Sequence, residues 1–170
     1  MTGPDFPRVI TIDANVLVAY SAKSHTTDRY RRLAYLFGQA EKARSKLIIP
    51  MPALAEYLVR ADQAALAILE RLERKTFILV APLDRAAAFE CAQLDASAIG
   101  RGDKRDGRQD AWQKIKIDRQ IVAIGKAHGT QWYVSDDDGV RATAMRIGVR
   151  SSKVAELPLP VTQGELKLPK

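Results

Sequence analysis

The chain has 170 residues, 46% of them hydrophobic and 28% charged, which suits a single globular domain with a proper core. Its net charge of +7 favours a polyanionic partner only weakly, because many soluble proteins are as basic. One cysteine, Cys91, excludes an internal disulfide framework and a cysteine-based zinc cluster. No apolar run reaches the ~20 residues that span a bilayer, and the first residues lack an export pattern, so we expect a cytoplasmic protein without a membrane partner.

Short β-branched runs alternate with longer amphipathic runs in the first half of the chain. Three short runs predict buried strands, at residues 8–12, 46–50 and 76–81. The segments between them show helical spacing of apolar residues and predict helices over 26–45, 52–60 and 62–75. Thr27 is the expected N-cap of the first of these helices.

The second half continues the same alternation. A helix is predicted over 83–98, followed by a loop rich in glycine and charge at 98–110. The remaining elements follow in order: a helix at 112–129 that ends at Gly129, a strand at 131–134, a helix at 139–148 and a short strand at 149–151.

Strands that alternate with helices predict an α/β fold with a parallel sheet covered by helices on both faces. The sequence shows no internal repeat and no domain boundary. We therefore expect one domain over residues 1–157 and a proline-spaced tail over 158–170 that packs loosely or not at all.

Acidic residues from distant parts of the sequence are expected at one edge of this sheet. Ligands of such folds bind beyond the carboxyl ends of the strands. Asp13 directly follows the first strand, and the triplet 136–138 follows the fourth. Glu56 lies in the early turns of the helix after the second strand. Asp118 lies near the start of a crossover helix that leads into the fourth strand, so it begins at the same edge.

Each acidic residue also has a purely structural interpretation. Asp13 could cap a helix that starts at the next residue, and Asp137 or Asp138 could cap the helix after them. Glu56 could be an ordinary exposed residue, and Asp118 could pair with Lys114 one turn away. Taken together, however, four neighbouring carboxylates raise one another's pKa unless a cation neutralises them. Magnesium and manganese prefer such oxygen ligands.

Four segments resemble the acidic motifs of the PIN-domain family, in the family's order: TIDANVLV, PALAEYLVR, KIDRQIVAIGKAHG and WYVSDDDGVRATAMRIGV. The resemblance covers roughly residues 8–157. It implies a three-layer α/β/α fold whose parallel sheet of about five strands has the order 3-2-1-4-5. It also implies a Mg²⁺- or Mn²⁺-dependent nuclease, like the VapC-type toxins of toxin–antitoxin pairs.

The resemblance assigns roles to individual residues. The catalytic acids would be Asp13, Glu56, Asp118 and Asp137. Asn15 and Ser135 match supporting positions of the motifs, and Asp136 is a reserve metal ligand beside the ligands Asp13, Asp118 and Asp137. Gly139 and Val140 depart from the last motif, which usually continues with a further acid and an aromatic residue.

The expected reaction is metal-assisted hydrolysis of a phosphodiester in RNA, in which one or two divalent ions orient the phosphate and activate a water. Three basic residues flank Asp118 and are candidates for contacts with the phosphate backbone: Lys114, Lys116 and Arg119. The charges of the 98–110 loop nearly cancel, which predicts a solvated, mobile segment. The resemblance further implies a small antitoxin partner and a homodimer.

Three other functions remain open at this point. The chain could be a PIN-fold nuclease that acts in RNA processing or on DNA. It could be a phosphatase of the haloacid dehalogenase type, although that site needs a second aspartate where Asn15 stands. It could also be a non-catalytic RNA-binding module, which the four filled acidic positions disfavour.

Overall fold

The computed structural model describes residues 6–22 and 24–160, and the end of the expected tail, residues 161–170, lies outside this part. Its five strands form one all-parallel sheet in the order β3-β2-β1-β4-β5, which confirms the expected order. The strands are β1 (Val9–Ile12), β2 (Lys46–Pro50), β3 (Ile78–Ala81), β4 (Trp132–Val134) and β5 (Arg150–Ser152).

Seven α-helices and one short 3-10 helix (Val154–Glu156) connect and flank these strands in the described part of the chain. The α-helices are α1 (Ala14–Tyr20), α2 (Asp28–Lys42), α3 (Met51–Leu58), α4 (Gln63–Glu73), α5 (Arg85–Gly100), α6 (Trp112–Ala127) and α7 (Asp138–Arg146). Thr27 caps α2 as expected, its side chain accepting a hydrogen bond from the N–H of Tyr30. Across residues 6–22 and 24–160, the helices are too short or too polar to cross a membrane.

Alternate residues of the central strands face two different helical layers. Leu47 and Ile49 of β2 pack into the larger core cluster, which also includes Leu33 and Phe37 of α2. Ile48, between them, packs instead with a smaller cluster that includes Ile124 of α6. Both faces of the sheet are therefore covered, which explains why these strands read as continuous apolar runs.

The pairing of β1 with β4 sets the position of the candidate site. Ile12 pairs with Val134 in parallel register, and both residues end their strands. The N–H of Asp13 donates to the carbonyl of Val134 at 3.3 Å. Asp13 and Ser135 therefore leave the sheet side by side, although they are far apart in the sequence.

Gly125 brings α6 close to the sheet. A Cβ at this position would come within 2.6 Å of Thr11 Oγ1 and of the Tyr133 hydroxyl. We expect Gly125→Ala to lower the free energy of unfolding in urea by about 1–3 kcal/mol, because the core must move to admit a methyl group. Gly38→Ala in α2 is the matched control, since a Cβ there meets no atom within 4 Å and removes the helix penalty of glycine. Equal losses in both variants would contradict the close-packing argument.

Candidate active site

A cavity of about 620 Å³ opens at the carboxyl edge of the sheet. The four acidic residues that topology places at this edge all line it: Asp13, Glu56, Asp118 and Asp137. Asn15 and Lys114 also line it, and α3, the residue that follows it and α6 contribute an apolar wall formed by Pro52, Ala55, Val59 and Ile117. The cavity therefore combines a cluster of carboxylates with an apolar side.

Asp13 is held in one orientation by three hydrogen bonds. Its Oδ1 accepts from the N–H of Ala14 at 2.7 Å, which makes it the N-cap of α1. Its Oδ2 accepts from Asn15 Nδ2 at 2.8 Å and from Ser135 Oγ at 2.7 Å. The structural and functional interpretations of Asp13 are thus compatible, and the two predicted supporting residues both contact it.

The buried position of Asp13 makes its charge unfavourable. Asp13 is 4% exposed, and burial raises its pKa from 3.8 to about 6 against the opposing hydrogen bonds from Ser135 and Ala14. The negative charges of Glu56 and Asp137 raise this pKa further. Within residues 6–22 and 24–160, no basic side chain forms an ion pair with Asp13 or with Glu56, which is exposed.

Lys114 bridges the other two carboxylates of the cavity. Its Nζ lies 3.2 Å from Asp118 Oδ2 and 2.6 Å from Asp137 Oδ2. Burial works to raise the pKa of Asp137, but the hydrogen bond and charge of Lys114, together with the N–H groups of Gly139 and Val140, hold that pKa below its ordinary value. The pKa of Asp118 stays raised by burial although Arg108 and Lys114 both oppose the shift. The predicted Lys114–Asp118 pair is therefore present and extends to a second acid.

Asp137 serves the helix and the cavity at the same time. Its Oδ1 accepts from the N–H groups of Gly139 at 2.7 Å and Val140 at 3.2 Å, so it is the N-cap of α7. Its Oδ2 faces Lys114 in the cavity. Asp138 is the first residue of α7 and pairs with Arg141 outside the cavity.

Asp136 points away from the cavity. Its Oδ1 accepts from the N–H of Val154 at 2.9 Å, and its Oδ2 pairs with Arg29. It is absent from the cavity lining, while its own N–H donates to Asn15 Oδ1 at 3.0 Å. This placement argues against the predicted reserve role of Asp136 as a metal ligand.

The three basic residues predicted to contact a phosphate backbone are placed very differently. Lys114 lines the cavity and its side chain is 42% exposed. Lys116 lies beside the Trp112 ring, 6.0 Å from its centroid, and is not part of the lining. Arg119 is 2% exposed and is bound to Asp95 at 2.6 Å, which argues against a contact with substrate.

The α5–α6 loop, residues 101–111, departs from the expected solvated segment. Helix α5 first continues to Gly100, two residues beyond the predicted helix. The side chain of Asp106 is only 8% exposed, and that of Arg108 is 10% exposed. The prediction of a solvated loop is therefore wrong for these two residues.

Arg108 is the site residue that the sequence did not indicate. Its Nη2 lies 2.5 Å from Asp118 Oδ2. Nothing in the local sequence distinguishes it from the arginines at 101 and 105, because its selection depends on a contact with a residue in another element.

A hard divalent cation fits the donor types of this cavity, because all four acids offer carboxylate oxygens. In residues 6–22 and 24–160, no three histidine, cysteine, aspartate or glutamate side chains are arranged so that they could hold a metal ion. Lys114 bridges Asp118 and Asp137, and Arg108 also pairs with Asp118. In the described part of the chain, Asp13 and Glu56 have no basic partner, so their carboxylates remain available to a metal ion.

Comparison with known proteins gave matches in structure only. No protein-family model matches the sequence, and a search of curated proteins gave no match. The chain is similar to a structure of VapBC2 from Rickettsia felis bound to a DNA fragment from their promoter, with 13% identity and a TM-score of 0.59 over 85% of this chain and 98% of that one. It is also similar to DNA-bound VapBC from Salmonella typhimurium, with 17% identity and a TM-score of 0.57 over 85% and 97% of the two chains.

A third similar structure is VapC20 from Mycobacterium tuberculosis, described as a sarcin–ricin loop cleaving toxin. It shares 17% identity and a TM-score of 0.51 over 78% of this chain and 94% of that one. At this level of identity the comparison establishes the fold. The sheet order and the three structural matches together show that the chain has the PIN-domain fold of the VapC-type proteins.

Proposed function

We propose that the chain is a metal-dependent endoribonuclease of the VapC type, the toxin of a type II toxin–antitoxin pair, that hydrolyses phosphodiester bonds in RNA. One observation supports this most directly. Four carboxylates from four separate segments line one open cavity at the ligand-binding edge of a PIN fold.

Asp13 and Glu56 are the residues proposed to hold the ion, which would be Mg²⁺ or Mn²⁺. Asp137 would join them when Lys114 leaves it for the substrate phosphate. When bound, such an ion polarises the phosphate and activates a water for attack. Asp13 is already fixed by Asn15 and Ser135, so its carboxylate requires little reorganisation when a ligand arrives. Glu56 is exposed and can adjust its side chain toward the ligand.

Lys114 is the proposed contact to the substrate phosphate. Its ammonium stands at the cavity on a long flexible stem, and a phosphate oxygen can replace one of its two carboxylate partners. The apolar wall that includes Pro52, Val59 and Ile117 offers a surface for a ribose or a base. Together these groups would place a phosphodiester against the carboxylates.

A small antitoxin and a second copy of the chain are proposed partners. Two of the similar structures are VapBC assemblies bound to DNA, which supports a search for a partner of the same kind. Co-expression with the product of a neighbouring short reading frame, followed by purification, tests the antitoxin. Sedimentation at high protein concentration tests the homodimer, and a species that stays monomeric would contradict it.

The activity itself is tested with three substrates under the same conditions: single-stranded RNA, duplex DNA and a generic phosphate ester. We expect cleavage of the RNA in Mg²⁺ or Mn²⁺ and none in excess EDTA. Asp118→Asn is the control for a contaminating nuclease. Full activity in EDTA would overturn the metal-dependent mechanism, and cleavage of duplex DNA but not RNA would overturn the proposed substrate.

A further inference from the structure

The guanidinium of Arg108 is fixed between two carboxylates at the rim of the candidate active site. Its Nη2 donates to Asp118 Oδ2 at 2.5 Å, and its Nε and Nη2 donate to Asp110 Oδ2 at 2.9 and 2.7 Å. The side chains of Arg108 and Asp118 are 10% and 6% exposed. An ion pair this buried is far less screened by salt and water than one on the surface.

Helix α7 makes room for this guanidinium because it has a glycine, Gly139, at the point of contact. A Cβ at Gly139 would overlap both the Arg108 guanidinium and the Asp118 carboxylate. Gly139 is helical and does not have a positive φ, so the glycine is needed for space and not for an unusual backbone. The fit between Gly139 and Arg108 links two segments that are distant in the sequence.

The α5–α6 loop that carries Arg108 is itself tied to the helices behind it. Asp106, two residues earlier, pairs with Arg119 of α6 at 2.9 Å and with Arg146 of α7 at 2.8 Å. Arg105 donates to the backbone carbonyl of Asp110 at 2.8 Å. The segment that carries Arg108 is thus folded against α6 and α7, so the position of Arg108 is fixed.

The cavity is consequently divided into two halves by charge. The Asp118 half carries Arg108 and Lys114, whereas the half formed by Asp13 and Glu56 has no cation among the described residues. The two cations also differ, because the side chain of Lys114 is 42% exposed and that of Arg108 is 10% exposed. An arriving ligand can displace Lys114 along its flexible stem, but Arg108 is held on two sides.

We propose that Arg108 is a built-in cation of the site, which takes at Asp118 the place of a second divalent ion. The site then binds a single divalent ion, on the side of Asp13 and Glu56. This inference rests on the proposed function, and it describes Arg108 as a positioning residue that acts through Asp118. A guanidinium suits this role because it is charged at every accessible pH and binds a carboxylate in a fixed orientation.

Binding of Mn²⁺ alone to the purified full chain tests the inference, with the number of bound ions measured by calorimetry and by electron paramagnetic resonance. We expect one ion per chain in the wild type and two in Arg108→Ala, because the freed Asp118 carboxylate regains an affinity for cations. Arg108→Lys keeps the positive charge and should keep the single ion. Arg101→Ala removes the same charge from an exposed position of the same loop and should also keep one ion.

Two ions in the wild type, or one ion in both the wild type and Arg108→Ala, would overturn the inference. Circular dichroism checks that each variant is folded, and Arg108→Gln replaces the alanine variant if that one unfolds. The proposed function fails separately, through absence of RNA cleavage or through cleavage in EDTA. An unchanged ion count in a chain with metal-dependent cleavage therefore removes the role of Arg108 and leaves the ribonuclease proposal intact.

Discussion

Asp13→Asn is expected to lower the rate of RNA cleavage by at least about a thousandfold, as for other residues that act as one unit with the rest of a catalytic site. Asp13 contributes a buried carboxylate that is oriented by Asn15 and Ser135 and that pairs with no basic side chain of the described residues. The measurement is a single-turnover cleavage assay at saturating Mg²⁺. Asp138→Asn is the matched control, because that aspartate lies outside the cavity and pairs with Arg141.

The same substitution should leave the metal-free protein folded and more stable at pH 7. Because burial raises the pKa of Asp13 from 3.8 to about 6, the folded state binds a proton more readily than the unfolded state. Wild-type stability therefore falls as pH rises from about 4 to about 6, by at most about 3 kcal/mol for this group. Asp13→Asn should lack this fall. Its stability at pH 7 should rise by only about 1–2 kcal/mol, because asparagine cannot accept all three hydrogen bonds. Urea unfolding in EDTA measures the free energy of unfolding of both proteins. A variant less stable than the wild type at pH 7 would contradict the argument.

Asp106→Asn is expected to have the largest effect on folding, a loss of about 3 kcal/mol in the free energy of unfolding. The carboxylate of Asp106 is 8% exposed and is shared by three arginines from three segments: Arg101, Arg119 and Arg146. These hydrogen bonds overcome burial and hold its pKa below the ordinary value, so the stabilisation is present above pH 4 and is lost in acid. Asparagine keeps the side-chain size and tolerates the positive φ of 55° at this position, so the substitution tests the charge alone.

Asp103→Asn is the control for the Asp106 prediction, measured by the same urea unfolding at pH 7. Asp103 lies in the same loop, but it is exposed and caps only the N–H groups of Arg105 and Gly107. We expect its substitution to change the free energy of unfolding far less than Asp106→Asn does, because solvent screens an exposed carboxylate. Similar small losses of stability in both variants would contradict the argument that the ion pairs of Asp106 with the three arginines stabilise the fold.

The grouping of the acids could be anticipated because it follows from chain order, whereas the sheet order was implied by the resemblance to the PIN-domain family. A residue that directly follows a buried parallel strand must leave at the carboxyl edge, whatever its side chain does afterwards. This argument located Asp13 and the 136–138 triplet without knowledge of any contact. The strand limits were less certain: β3 begins at Ile78 instead of residue 76 because the chain still turns there, with the N–H of Ile78 donating to Lys75.

Side-chain direction was harder to anticipate than position along the chain. Asp136 and Asp137 are adjacent, yet one turns toward Val154 next to β5 and the other toward the cavity. The direction of each side chain depends on a partner in another element. The same limit applies to Arg108 and Arg119, whose burial results from contacts with Asp118 and Asp106 that no local pattern encodes.

The two functions of Asp137 bear on how relatives of this chain should be compared. Because Asp137 caps α7, an aspartate would be retained at this position even in a relative that no longer used the cavity. Asp118 lies inside α6, where it caps nothing and where its burial raises its pKa. Asp118 is nevertheless held by Arg108 and Lys114, whereas Glu56 is exposed and forms no ion pair within residues 6–22 and 24–160. Among relatives freed from selection on this cavity, Glu56 should therefore be the first of the four acids to disappear.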